Sequence, residues 1–250
     1  EHLNKLRSAG NWAFLHPGRK KLRHDFHQRL QAHVDRADPA SLAGLATQTP
    51  GHARTPVADQ FTHYMFAFDP GGMTTFRALA LLAAHPHIMR DLRAQLAEGE
   101  DHAGPLLRAT VLESLRLWAT TPVILRQARH DIDWEGDTLP GGAQVVIYAP
   151  FFHRDDETLP EADNFAPDLW PEGQVQRGTR FVPFSDGDGV CPARDLVLMV
   201  AAMVLSEILG THDARLADPA RLDPARPLPP TLDNYTIEFT LTERVNGRRS

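Results

Sequence analysis

The chemistry-bearing residues of this chain gather around one sulfur. Cys191 is the only cysteine. It sits in Phe184-Ser-Asp-Gly-Asp-Gly-Val-Cys191-Pro-Ala, a Gly-rich loop that runs into an apolar helix predicted over 192–210. A thiol at a helix N-terminus meets the positive end of the dipole and unpaired backbone N–H groups, and both favour thiolate. Pro192 suits the first helical turn, where its missing N–H has no partner to lose. Gly187 and Gly189 let the loop lie flat against something bulky. Three roles fit such a cysteine: a buried structural side chain, an axial ligand to haem iron, and a nucleophile. The nucleophile needs an adjacent base, and no residue close in sequence supplies one.

Glu113 and Arg116 form the second pattern. They lie three apart on a predicted helix over 106–119 and share a face. Val111, Leu112, Leu115, Leu117 and Trp118 surround them, which predicts burial. A buried pair is costly unless it closes a network. His24 and His27 are also three apart, but no third metal ligand is near, and a solvated helix face is the simpler reading. Asp186-x-Asp188-Gly189 lacks the remaining ligands and closing Glu of a calcium loop. No G-x-S-x-G, P-loop or dinucleotide fingerprint occurs.

The elements that must position these residues are mostly helical. Leu22, Phe26, Leu30 and Val34 fall at steps of four and predict a helix over 19–34. Ser41 is placed to cap a short helix through Ala46. A long apolar helix follows over 57–84, and Asp69-Pro70-Gly71-Gly72 predicts a local distortion at its centre. His85-Pro86 separates it from a helix over 88–96. Short β-like runs at 123–128, 131–134 and 143–148 are divided by Glu135-Gly136-Asp137 and Pro140-Gly141-Gly142. Residues 149–183 read as an ordered meander. The helix over 192–210 is apolar on nearly every side and is expected to be buried. Tyr235–Leu241 alternates like a strand. The fold class is therefore mainly α with a small β portion, in a single domain over 1–250.

Composition excludes several classes. The 250 residues carry 26 bases and 32 acids, a formal charge of −6, so the basic footprint of a nucleic-acid binder is missing. No apolar run is long enough for a membrane segment. One cysteine rules out an internal disulfide framework and a multi-thiolate zinc site. Only Lys5, Lys20 and Lys21 are lysine, and the other 23 bases are arginine, a bias consistent with a GC-rich bacterial genome. These features favour a soluble, cytoplasmic protein.

With these residues in view, the chain resembles a cytochrome P450. Phe184-x-x-Gly187-x-x-x-Cys191-x-Ala193 is similar to that family's haem-binding signature. Glu113-x-x-Arg116, 78 residues earlier, is similar to its helix K motif. Phe165-Ala-Pro-Asp-Leu-Trp170 resembles its meander motif, preceded by Ala149-Pro-Phe-Phe-His153-Arg154-Asp155. Pro70-Gly71-Gly72-Met73-Thr74-Thr75 resembles the distorted centre of helix I. Each element is weak alone; four in order, ending on the only cysteine, are specific. The match runs from about Val57 to the C-terminus, with Trp12 to Ala46 in the place of helices G and H.

The resemblance implies a P450-like fold lacking the N-terminal helices, as a C-terminal fragment or truncated form. It implies that Cys191 is the proximal ligand of haem b, the metal site of the protein. Phe184, Gly187 and Ala193 would lie along that loop, Gly71 beside the haem on the distal side, and Arg126 would pair with a propionate. Thr74 would help deliver protons to bound dioxygen. Phe68, Gly71, Thr121, Val123 and Ile124 would line an apolar substrate pocket. The implied activity is monooxygenation of a small hydrophobic molecule, with electrons from a ferredoxin or flavin reductase. Four positions depart from the pattern. Met73 stands where an acid precedes the helix I threonine, with Asp69 one turn earlier as its substitute. Gly189 replaces a base, Ala193 a glycine, and Leu169 the meander arginine. These departures open two alternatives: a non-catalytic or degenerate haem-binding fragment, and a haem-thiolate enzyme that uses peroxide or rearranges its substrate.

Overall fold

The computed structural model describes residues 19–49, 51, 56–175 and 180–244. They fall into two compact units that divide between Asp69 and Pro70.

In the first unit, α1 (Arg19–Val34) buries Val34 and half-buries Leu22, Phe26 and Leu30, the predicted stripe. The Ser41 hydroxyl accepts from the Gly44 N–H at 3.1 Å and caps α2 (Leu42–Gln48). His27 Nε2 lies 2.8 Å from Asp59 Oδ1, so this histidine is engaged with a carboxylate; His24 is exposed. Among the described residues no group of His, Cys, Asp and Glu could hold a metal ion. Residues 1–18 lie outside the described residues, and with them the first part, 12–18, of the stretch matched to helices G and H.

α3 (Val57–Ala84) runs helical through Pro70 and across the boundary between the units. The second unit is built on α5 (Glu100–Leu117), whose residues Ala109–Leu117 are all buried. α4 (Pro86–Glu98) and α7 (Arg194–Thr211) both pack against α5. Its β portion consists of three antiparallel pairs. β1 (Val123–Gln127) pairs with β4 (Gln144–Tyr148), Val123 opposite Tyr148. β2 (Ile132–Trp134) and β3 (Asp137–Leu139) form a hairpin. Its turn residues Glu135 and Gly136 have φ of 54° and 94°, the left-handed conformation that two-residue hairpin loops require. β5 (His212–Leu216) pairs with β6 (Phe239–Glu243). The helix α6 (Ala149–His153) opens the meander.

Three expectations are corrected. α7 is not buried all round. Leu198, Ala201, Ala202, Leu205 and Leu209 are covered, while Leu196, Met199, Val200, Met203 and Val204 stay exposed. Helix α5 covers one side of α7 only, and an apolar sequence cannot supply a partner for the other. The helix also starts at Arg194, with Ala193 as N-cap, rather than at Pro192. The C-terminal strand begins four residues late, because Asp233 caps a 3-10 turn over Asn234–Thr236 by accepting from the Tyr235 N–H at 3.0 Å. Among the described residues no helix is long and apolar enough to cross a membrane.

Candidate functional site

The Cys191 loop is fixed by its own backbone. Ser185 and Gly187 adopt left-handed φ of 63° and 64°, and Gly187–Gly189 make a 3-10 turn. Asp186 caps that turn, its Oδ1 accepting from the Gly187 N–H at 2.7 Å. The Cys191 N–H donates to the Phe184 carbonyl at 2.9 Å and closes the loop on itself. Phe184 is half-buried and packs on the core, so it anchors the loop from below. The Arg194 N–H, first of α7, donates to the Cys191 carbonyl at 3.3 Å. Cys191 therefore sits half-buried just ahead of the helix rather than in its first turn.

Arg126 comes to the same loop from β1. Its Nη2 donates to Ser185 Oγ at 2.6 Å and to the Asp186 carbonyl at 3.3 Å. A Cβ on Gly189 would lie 2.8 Å from that nitrogen, so the glycine where a base was expected makes room for Arg126. Arg129 Nη2 adds a second, exposed tie to Asp188 at 2.7 Å. A Cβ on Gly187 would meet nothing within 4 Å. The loop is thus open at Gly187.

The residues expected on the distal side are placed one by one. Thr74 is buried; its hydroxyl donates to the Pro70 carbonyl at 2.8 Å, and its carbonyl accepts from Ser114 Oγ at 3.2 Å. Gly71 is half-buried with open space where a Cβ would be, and Met73 is half-buried. Asp69 is half-buried and closes the first unit. Phe68, in that unit, is 56% exposed and meets Tyr64 edge-on at 4.9 Å. Thr121 and Val123 are exposed, whereas Ile124 is buried. Strand alternation puts Ile124 on the face opposite Val123, so these two do not line one surface.

In the core, Glu113 and Arg116 are both fully buried and hydrogen-bonded. Glu113 Oε1 accepts from Arg116 Nη2 at 2.6 Å and from the Ala166 N–H at 2.9 Å. Oε2 accepts from Arg116 Nε and from Trp170 Nε1, each at 2.8 Å. Arg116 also donates to the carbonyls of His153, Glu161, Ala162 and Asn164. Leu169 leaves the meander without its arginine, and the indole of the next residue donates to the carboxylate instead. His153 is equally buried. Its Nε2 accepts from the Val182 N–H at 2.9 Å, while Nδ1 is buried without a partner. Burial, reinforced by the Arg116 cation, lowers its pKa from 6.5 to about 4, so the ring is neutral.

Sequence reasoning missed the residues that clamp the C-terminal segment to this frame. Arg154 pairs with Asp163 at 2.5 Å and donates to the carbonyls of Leu228 and Pro229. Trp118 Nε1 donates to Pro229, and Arg77 to the carbonyls of Trp118 and Leu232. Only the position of Arg154 inside the meander-like segment signalled any of this.

The helical frame thus carries a lone cysteine on a glycine loop together with a buried Glu–Arg pair. The model of the cytochrome P450 family matches residues 57–226. The chain belongs to the cytochrome P450 family. It is 30% identical over 187 residues to ferruginol synthase 1 of Rosmarinus officinalis, covering 67% of this chain and 38% of that protein. It is 25% identical to ent-kaurenoic acid oxidase 1 of Arabidopsis thaliana, covering 60% and 34%. To cyclooctat-9-en-7-ol 5-monooxygenase of Streptomyces melanosporofaciens it is 27% identical, covering 61% and 36%. The chain spans about a third of the length of these curated relatives. Because plant proteins stand among them, the arginine bias does not assign a bacterial source.

Family membership implies a haem group, and the residues present fit one. A half-buried sulfur on a pinned loop, open space over Gly187 and a guanidinium held beside the loop are the donor set such a group needs.

Proposed function

We propose that this chain carries the C-terminal portion of a haem-thiolate monooxygenase, in which the Cys191 sulfur would hold a b-type haem. The observation that supports it is the Cys191 loop, closed by the Phe184 carbonyl and braced by Arg126. When bound, haem supplies the activation of dioxygen that this family's chemistry rests on.

The protein's own residues do four things. The Cys191 backbone bond and the Phe184 anchor hold the sulfur at one position. Arg126 keeps a cation beside the loop, where a propionate carboxylate is the complementary group. The Glu113–Arg116–Trp170 network holds the meander to α5. The Thr74 hydroxyl holds its proton toward the Pro70 carbonyl and leaves its own lone pairs to accept. The substrate of this reading is a small hydrophobic molecule and the electron donor a ferredoxin or flavin reductase.

A second reading has a specific observation behind it. Met73 supplies no acid, and the Thr74 proton is engaged with its own helix. Both favour haem-thiolate chemistry that uses peroxide or rearranges the substrate. Titrating the protein and Cys191→Ala with haem, then comparing turnover on dioxygen plus reductase with turnover on peroxide, tests both. Turnover on peroxide alone selects the second reading. Equal haem affinity of the native protein and the variant contradicts both.

A further inference from the structure

At the far end of α7 from Cys191 lies an arginine-lined recess with no part in the haem reading. It has a volume of about 280 Å³ and lies between α4 and β5, lined by Arg90, Arg93, Asp213 and Arg215 over a floor of Met89 and Ala214. α7 is 18 residues long, so this recess and the cysteine loop stand about 27 Å apart along it.

Charge is unbalanced there. Arg93 Nη2 meets Asp213 Oδ1 at 2.6 Å, and Arg244 Nε lies 3.7 Å from the same oxygen. The Arg215 side chain makes no hydrogen bond or ion pair among the described residues, and the Arg90 guanidinium has only the solvated Asp91 at 4.0 Å. Three guanidinium groups and one carboxylate line the recess, a formal excess of two positive charges; Arg244 and Asp91 beside it add one charge of each sign. Arg93 adds unused donor capacity: Nη1 bonds to nothing described, and its Nε is buried without an acceptor. Like charges are gathered in a concavity rather than dispersed, at an electrostatic cost that an anion would relieve.

We propose that this recess binds a phosphate group. Phosphate carries about −1.5 to −2 charges at neutral pH, which matches the excess, and its oxygens suit forked guanidinium donors. A monocarboxylate would leave half the charge unmatched. Two sources present this chemistry: a small soluble phosphomonoester or diphosphate, and the phosphomonoester headgroup of a lipid such as phosphatidic acid.

The test uses the full protein at fixed ionic strength. Isothermal titration with inorganic pyrophosphate is one arm, and co-sedimentation with vesicles containing phosphatidic acid, against phosphatidylcholine, is the other. Each is run on the native protein, on Arg90→Ala/Arg215→Ala, and on Arg226→Ala, which removes an exposed arginine elsewhere. Both recess arginines are exposed and hold no described partner tightly, so the double variant keeps the native far-UV spectrum. Saturable binding at one site, weakened roughly tenfold or more in the double variant and unchanged in Arg226→Ala, is the expected result. If it occurs with pyrophosphate the source is a soluble phosphate, and if only with anionic vesicles, a headgroup. Binding in neither arm, or equal binding by the double variant, overturns the proposal. Haem binding through Cys191 is independent of every outcome.

Discussion

Replacing Trp170 with Phe removes one hydrogen-bond donor from the fully buried Glu113 carboxylate. Glu113 accepts four bonds, two on each oxygen, which fills its acceptor sites. Trp170 is itself 2% exposed, so no water replaces the indole N–H. A hydrogen bond to a charged group contributes about 1.5–3 kcal/mol. At about 2–4 °C per kcal/mol for a unit of this size, Tm falls by about 3–12 °C. The smaller ring adds a packing loss that is not electrostatic. A double-mutant cycle with Glu113→Gln, read by urea unfolding followed in the far-UV, separates the two. The coupling between positions 113 and 170 is expected at about 1.5–3 kcal/mol. Coupling under about 0.5 kcal/mol refutes the argument that the indole stands in for the missing arginine, because packing alone would then account for the loss.

Further outcomes follow from the same frame. His153 is neutral in the fold down to about pH 4, while an unfolded histidine binds a proton below 6.5. The unfolded state therefore gains protons first as pH falls. Stability is full above 6.5 and declines toward 4, by about 3 kcal/mol in total. His153→Gln, which keeps an acceptor for the Val182 N–H, flattens that slope in urea titrations across the window; an unchanged slope contradicts the assignment. Gly173 has φ of 65°, and a Cβ there would lie 2.4 Å from the Pro105 carbonyl, so Gly173→Ala costs about 2–5 kcal/mol by equilibrium unfolding. Arg126→Ala frees the loop it braces and is expected to speed haem loss to a scavenging apoprotein several-fold with Cys191 still in place.

Much of the frame was legible because it rests on local rules. The stripe of α1, the Ser41 cap and the Pro-terminated long helix follow from spacing and capping within one turn. The Cys191 loop and the Glu113–Arg116 pair were legible because a Gly-rich loop leading into a helix and an i,i+3 pair are short patterns. What was not legible depends on partners far along the chain. Trp170 reaches across 57 residues to Glu113, and Arg77 across 155 to the Leu232 carbonyl. Composition around Leu169 recorded only the missing arginine, because an indole N–H substitutes for a guanidinium through space and not through sequence position. The exposed stripe of α7 makes the same point from the apolar side. Leu196, Met199 and Met203 are as hydrophobic as Leu198 and Leu205, and only a packing neighbour distinguishes them. Ile124 was misplaced for a third reason, since adjacent strand residues face opposite sides.

The central claim is that Cys191 presents its sulfur to haem iron. The carbon monoxide difference spectrum of the reduced, haem-loaded protein tests it most directly. A strongly red-shifted Soret band in the native protein, lost in Cys191→Ala, is the predicted result. A band at the position of histidine-ligated or unligated haem in the native protein, or a red-shifted band that survives Cys191→Ala, contradicts it.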